Sequence, residues 1–166
     1  KEAERSNPPL VNSKSEKFDL IEIKSIDKSI KYDIRYASEN NFMGGKFYKT
    51  SNAFLQRPAA EALKRVNEKL RSYGFGLLIH DAYRPWYVTK MFWDATPEDK
   101  KIFVANPQNG SRHNRGCAVD LTLYELSTGR PVEMVSGYDE FTERAFPYYY
   151  GGTTKQRSLR DLLRTN

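Results

Sequence analysis

The stretch SRHNRGCAVDLTLY (111–124) carries a histidine and an aspartate seven positions apart, His113 and Asp120. A neutral imidazole and a carboxylate are suitable donors to zinc, which accepts N and O ligands at about 2.0–2.2 Å. On an extended strand, residues seven apart point to opposite faces because side chains alternate. The two converge only if the chain turns between them. Asn114, Arg115 and Gly116 can make that turn, with Gly116 free to take an unusual backbone angle. Past the turn, Val119, Leu121 and Leu123 form an apolar face, and Ala118, Asp120, Thr122 and Tyr124 form the other. Asp120 thus leaves the core and can point at whatever His113 faces. By themselves the two residues fit a structural hydrogen bond at least as well as a metal pair.

A second cluster is HDAYRP (80–85). Arg84 follows a buried strand and precedes a helix, a place from which a rigid element presents a side chain at a pocket rim. A fixed guanidinium there can stabilise an oxyanion or hold a carboxylate; it can equally pair with Asp81. His80 ends the apolar run FGLLI and reads as a packed core histidine.

Several elements must position these residues. FDLIEI (18–23) and SIKYDIRYA (29–37) are strand candidates; in the second, Ile30, Tyr32, Ile34 and Tyr36 share a face. From Arg57 the spacing becomes helical: Pro58 suits a first turn, Leu63, Val66, Leu70 and Tyr73 follow, and Gly74 ends the run. FGLLIH (75–80) is a short buried strand, 86–94 a helix, 105–116 a loop, and 117–124 a strand. A last helix begins at Thr153 or Thr154, with Leu159, Leu162 and Leu163 on one side.

Length and composition set the frame. The 166 residues, 39% hydrophobic and 29% charged, are those of one globular domain over 17–166. Residues 1–16 read as a disordered or extended leader. No apolar run approaches the roughly 20 residues that span a bilayer. The net charge of +6 is spread among both signs. The exception is the tail, where Lys155, Arg157, Arg160 and Arg164 oppose Asp161; this reads as a solvated helix face, so no nucleic-acid partner is expected. Cys117 is the single cysteine, which excludes an intrachain disulfide and a cysteine zinc cluster.

Taken together, S-x-H-x-x-G-x-A-x-D with Y-R-P upstream resembles the zinc D-alanyl-D-alanine dipeptidases of the VanX type, relatives of the zinc D,D-carboxypeptidases. The resemblance runs from about Tyr32 to Leu163 and includes KYDIRYASENNFMGGKF, GFGLLIHDAYRP, GYDEFTER and QRSLRDLL. It implies an α+β fold with a central, mainly antiparallel sheet, flanking helices, and one zinc per chain. It also implies that His113 and Asp120 are two of three zinc ligands and that Arg84 stabilises the oxyanion. Tyr36, Ser111 and Asp139 would line a small, closed pocket for a D,D-dipeptide, with Asp139 facing its ammonium and Ser111 holding the far end. The family's third ligand and its general base come from an E-x-x-H motif after the C-terminal helix; these 166 residues contain no E-x-x-H. The expectation is a C-terminally incomplete dipeptidase that as written is metal-poor and inactive. The alternatives are a carboxypeptidase on larger muropeptides, a non-catalytic binder of peptidoglycan fragments, and a basic surface-binding module. A periplasmic or secreted location is favoured over a cytoplasmic one.

Overall fold

The computed structural model describes residues 2–9 and 19–166. Five short strands form two sheets. β1 (Leu20–Glu22) pairs antiparallel with β3 (Phe54–Gln56). The central sheet has the order β2 (Lys31–Tyr32), β4 (Phe75–Asp81), β5 (Asp120–Glu125). β4 runs parallel to β2 and antiparallel to β5, giving the mixed α+β architecture expected.

α1 (Glu2–Arg5) lies in the expected leader and departs from that expectation: it is one helical turn with Ala3 buried. Most of the remaining leader lies outside the described residues, as does Phe18 of the first expected strand. α2 (Arg57–Arg71) buries Leu63 and Leu70 on one stripe, carries Pro58 in its first turn, and stops just before Gly74, whose φ of 83° no side chain favours. α3 (Trp86–Ala95) follows β4 directly. α4 (Thr154–Thr165) starts in a reciprocal capping box between Thr153 and Gln156, and it buries Leu159 in the core, with Leu162 and Leu163 packed at the margin.

Two apolar clusters result. Ile23, Ile30, Leu55, Leu77, Ile79 and Leu123 form the centre of the larger one, between the sheets and α2. The smaller one sits beneath the site: Tyr36, Val88 and Phe92, with Phe42 and Phe47 around them.

Three elements differ from the sequence reading. The expected strand 29–37 is regular only over β2, because the chain turns into a 3-10 helix at Arg35–Ala37. β3 was hidden by its brevity. β5 begins at Asp120 rather than 117, since the Cys117 N–H turns back to the Arg112 carbonyl (3.0 Å) and the Gly116 carbonyl accepts from Gln56 N–H (2.9 Å). Nor is the second face of β5 open throughout: Tyr124 is buried, its hydroxyl donating to the Ser29 carbonyl at 2.9 Å.

Candidate metal and dipeptide site

β4 and β5 pair in register up to Ile79–Leu121, and then Asp81 rather than His80 stands opposite Asp120. The extra residue is a β-bulge, the device by which a strand re-aims side chains next to a site. It sets two carboxylates across from each other, which is unfavourable unless cations join them. Two cationic or cation-binding groups do. Arg84 Nη2 lies 2.7 Å from Asp81 Oδ2 and 3.6 Å from Asp120 Oδ2. His113 Nε2 lies 3.4 Å from Asp120 Oδ1.

The convergence of His113 and Asp120 depends on the turn between them. His113–Arg115 form one 3-10 turn closed by Gly116 at φ 65°. A Cβ there would meet Leu20 Cδ2 at 2.5 Å and the Gln56 N at 3.2 Å, so only glycine suits both the angle and the space. His113 Nδ1 is 2.7 Å from the Ala82 carbonyl. A carbonyl only accepts, so Nδ1 carries a proton; Nε2 faces Asp120, donating to it when the imidazole is protonated and offering a lone pair to a metal when it is neutral. Burial works against protonation of His113, but the hydrogen bond and charge of Asp120 outweigh it and hold its pKa above the usual value. Burial likewise opposes the charge on Asp120, and His113 and Arg84 together pull its carboxyl below the usual range.

Asp81 is the residue that sequence reasoning left as a bare pairing option. Its donor atoms lie within 4.8 Å of those of His113 and Asp120, and it is fully buried. Both of its oxygens are already engaged. Oδ1 accepts from Tyr48 Oη (2.7 Å), and Oδ2 accepts from Arg84 Nε (2.9 Å) and Nη2 (2.7 Å). It therefore orients Arg84, and the uncommitted donors are His113 Nε2 and Asp120. This donor set of one imidazole and one carboxylate on a common wall fits a divalent metal. Among the described residues no glutamate or cysteine joins the cluster.

Arg84 is held from every side. Its guanidinium lies 5.3 Å from the Tyr36 ring centroid and 5.0 Å from that of Phe92. Burial opposes its charge, yet Asp81 more than compensates and raises its pKa. Arg84 thus pairs with Asp81 and also lines the cleft.

All six expected residues, Tyr36, Arg84, Ser111, His113, Asp120 and Asp139, line one cleft of about 1140 Å³. Tyr36 Oη donates to Asp139 Oδ2 at 2.9 Å. Burial pushes the Asp139 carboxyl up to about 6, with Tyr36 opposing. Asp139 is also the one non-glycine among the described residues with positive φ, 53°. Ser111 is buried, and its Oγ accepts from the His113 N–H at 3.2 Å. The cleft is roomier than the small, closed pocket that the resemblance implies. Among the described residues its β5 wall is the edge of the sheet, flanked by residues 130–132 through a bridge from Tyr124 to Pro131. His80 is buried as expected, Nδ1 3.2 Å from the Asp33 carbonyl; burial lowers its pKa, although its ring also borders the cleft.

An aspartate that ends a bulged strand and pairs with an arginine of the following loop thus stands beside a histidine and an aspartate that can hold a metal. The family model for D-ala-D-ala dipeptidases of the M15 peptidases matches residues 16–166, and the chain belongs to that family. It is similar to the D-alanyl-D-alanine dipeptidase of Escherichia coli (strain K12), 32% identical over 135 residues, covering 81% of this chain and 68% of the relative. The D-alanyl-D-alanine dipeptidase of Enterococcus faecium is 32% identical over 154 residues, 82% of this chain and 76% of the relative. That of Streptomyces coelicolor is 32% identical over 139 residues, 73% and 69%.

Proposed function

We propose that the protein is a zinc-dependent hydrolase of the D-alanyl-D-alanine dipeptide. The observation that carries this reading is the shared cleft: a metal-fit pair, a charged arginine and a partly buried aspartate, Asp139, all line it. His113 and Asp120 would hold the zinc. When bound, zinc supplies Lewis-acid polarisation of the scissile carbonyl and acidification of a water.

The chain's own residues do the rest. Asp139, steadied by the Tyr36 hydroxyl, receives the substrate ammonium, and Ser111 receives the far end. Arg84, in the cleft lining, offers its guanidinium to the negative charge that develops on the carbonyl oxygen. Two aromatic rings and Asp81 pin the guanidinium, so little reorganisation is needed when that charge appears. The proton of the attacking water requires a base, which the family resemblance assigns to the glutamate of E-x-x-H.

The test is D-alanine release from D-Ala-D-Ala by the full-length protein with added zinc, beside release from a longer muropeptide. Turnover of the dipeptide alone supports the reading. Turnover of the muropeptide alone would make it a D,D-carboxypeptidase, which the width of the cleft can accommodate. Binding without release would make it a binder of wall fragments.

A further inference from the structure

The turn residue Asn114 uses its whole side chain to join the two halves of the site. Its Nδ2 donates to the Arg84 carbonyl (2.9 Å) and to Thr89 Oγ1 in α3 (2.9 Å). Its Oδ1 accepts from the Ser111 N–H (2.8 Å). The Arg84 carbonyl can only accept and the Ser111 N–H can only donate, so the amide's orientation is fixed without ambiguity. The three partners Arg84, Thr89 and Ser111 are all buried. One more bond runs alongside, from the Arg84 N–H to the His113 carbonyl at 3.1 Å.

Asp81 fixes which way the guanidinium points; nothing about Asp81 fixes how far the Arg84 backbone stands from His113. That distance is set where the loop 82–85 meets the turn 111–116, and Asn114 is bonded across it to Arg84 itself, beside the contact of His113 Nδ1 with the Ala82 carbonyl. We infer that Asn114 is a positioning residue: it holds the backbone of Arg84 in register with His113, so that the group stabilising negative charge and the group holding the metal address the same carbonyl. The inference rests on the dipeptidase reading. It also explains the residue type. Aspartate would present only acceptors to the Arg84 carbonyl, and alanine would leave the Arg84 and Ser111 groups unpaired in a buried place.

The experiment is a double-mutant cycle in the full-length, zinc-loaded protein. Asn114→Ala and Asn114→Asp should each lower kcat/KM on D-Ala-D-Ala by about 10²-fold, the loss falling on kcat, as a misplacement of about 1 Å does. In an Arg84→Lys background the same changes should cost no more than about threefold, because the group they position is already lost. Thr89→Val removes one partner of the amide without changing side-chain shape. It should give a smaller loss of the same kind, and it stands in if the Asn114 variants fail to fold. Hydrogen exchange supplies a readout free of turnover: in Asn114→Ala the Arg84 amide should exchange about tenfold faster while those of Leu77 and Ile79 are unchanged. That result separates this inference from the dipeptidase reading, which fails alone if the wild-type protein releases no D-alanine. Additive losses in the cycle, or faster exchange throughout β4, would overturn the positioning role and leave Asn114 as a fold residue.

Discussion

The cleft has two walls built on opposite principles. The wall that carries Arg84, His113 and Asp120 is the end of a strand pair. Its charged side chains are braced by one another, by Tyr48, by two ring faces, and by the backbone bonds between residues 82–86 and 111–116. The facing wall, 136–147, is irregular chain. Its Asp139 sits at a backbone angle that non-glycine residues rarely adopt, with one side-chain partner, Tyr36, and a carboxyl pushed up by burial. Groups that handle developing charge must not move during reaction, so they stand on strands and salt bridges. A group that receives a charged ligand is kept short of full satisfaction, and that is where strain collects.

The largest effect should come from the number of metal donors on the braced wall. Among the described residues the cluster offers a cation two uncommitted donors, His113 Nε2 and Asp120, because Asp81 is spent on Arg84 and Tyr48. Zinc in proteins is held by three or four protein ligands. The polypeptide 1–166 is therefore expected to bind zinc poorly and to release no D-alanine, and a C-terminal extension bearing an E-x-x-H motif should restore both. Metal analysis after gel filtration, with and without the extension, checks this. Stoichiometric zinc in residues 1–166 would show that Asp81 leaves Arg84 to coordinate, or that His80 does.

Next comes Arg84→Lys, which keeps the charge but loses the planar fork that Asp81 grips. Loss of an oxyanion donor costs about 10²–10³-fold in kcat, and zinc content should be unchanged. Steady-state kinetics beside metal analysis reads both. Near-normal turnover would remove Arg84 from the chemistry.

Much of this wall could be read from the sequence, and the reason is local. His113, Gly116 and Asp120 lie in one turn and one strand, so spacing alone shows that they can meet. The basic pairing of strand, YRP and helix around Arg84 is also contiguous. Asp81 was harder: it ends an apolar run, and only the bulge at His80 sets it opposite Asp120. Tyr48 and Asn114 gave no signal beyond a loop and a turn, since their partners are 33 and 30 positions away. The other wall was open to reading only through family resemblance. Asp139 meets Tyr36 across 103 positions, and no periodicity reports such a contact.

A smaller effect should separate stability from chemistry. Asp81→Asn leaves buried Arg84 with only the more distant Asp120 as a counter-charge, and breaking a buried ion pair costs about 3–5 kcal/mol. Tyr48→Phe removes one hydrogen bond to the same carboxylate and should cost about 1–2 kcal/mol. Urea unfolding of both variants measures the difference. Equal losses would mean that Asp81 is not charged in the folded protein.

The smallest effect belongs to the strained wall and has a sign that pH exposes. The Asp139 carboxyl has an ordinary value of 3.8 and is pushed up to about 6 by burial. A raised carboxyl favours the folded state while protonated in it. That contribution is present at low pH and is lost as pH rises from about 4 through about 6, above which the folded protein carries the full cost of a buried charge. Asp139→Asn is always neutral and tolerates positive φ at least as well. The variant should therefore match the wild type in stability near pH 4 and exceed it at pH 7.5. Function should run the other way. If Asp139 receives the substrate ammonium as proposed, the receiving charge forms as pH rises through about 6, and wild-type KM for D-Ala-D-Ala should fall across that value. In Asp139→Asn the KM should be higher by about tenfold, the loss of roughly one exposed-to-half-buried charge contact, and the step near pH 6 should vanish. Thermal melts and KM measured across pH 4.5 to about 8 test both halves. A variant that gains no stability at neutral pH, or one that keeps the wild-type KM step, would mean that Asp139 is not the strained, ligand-awaiting carboxylate of this wall.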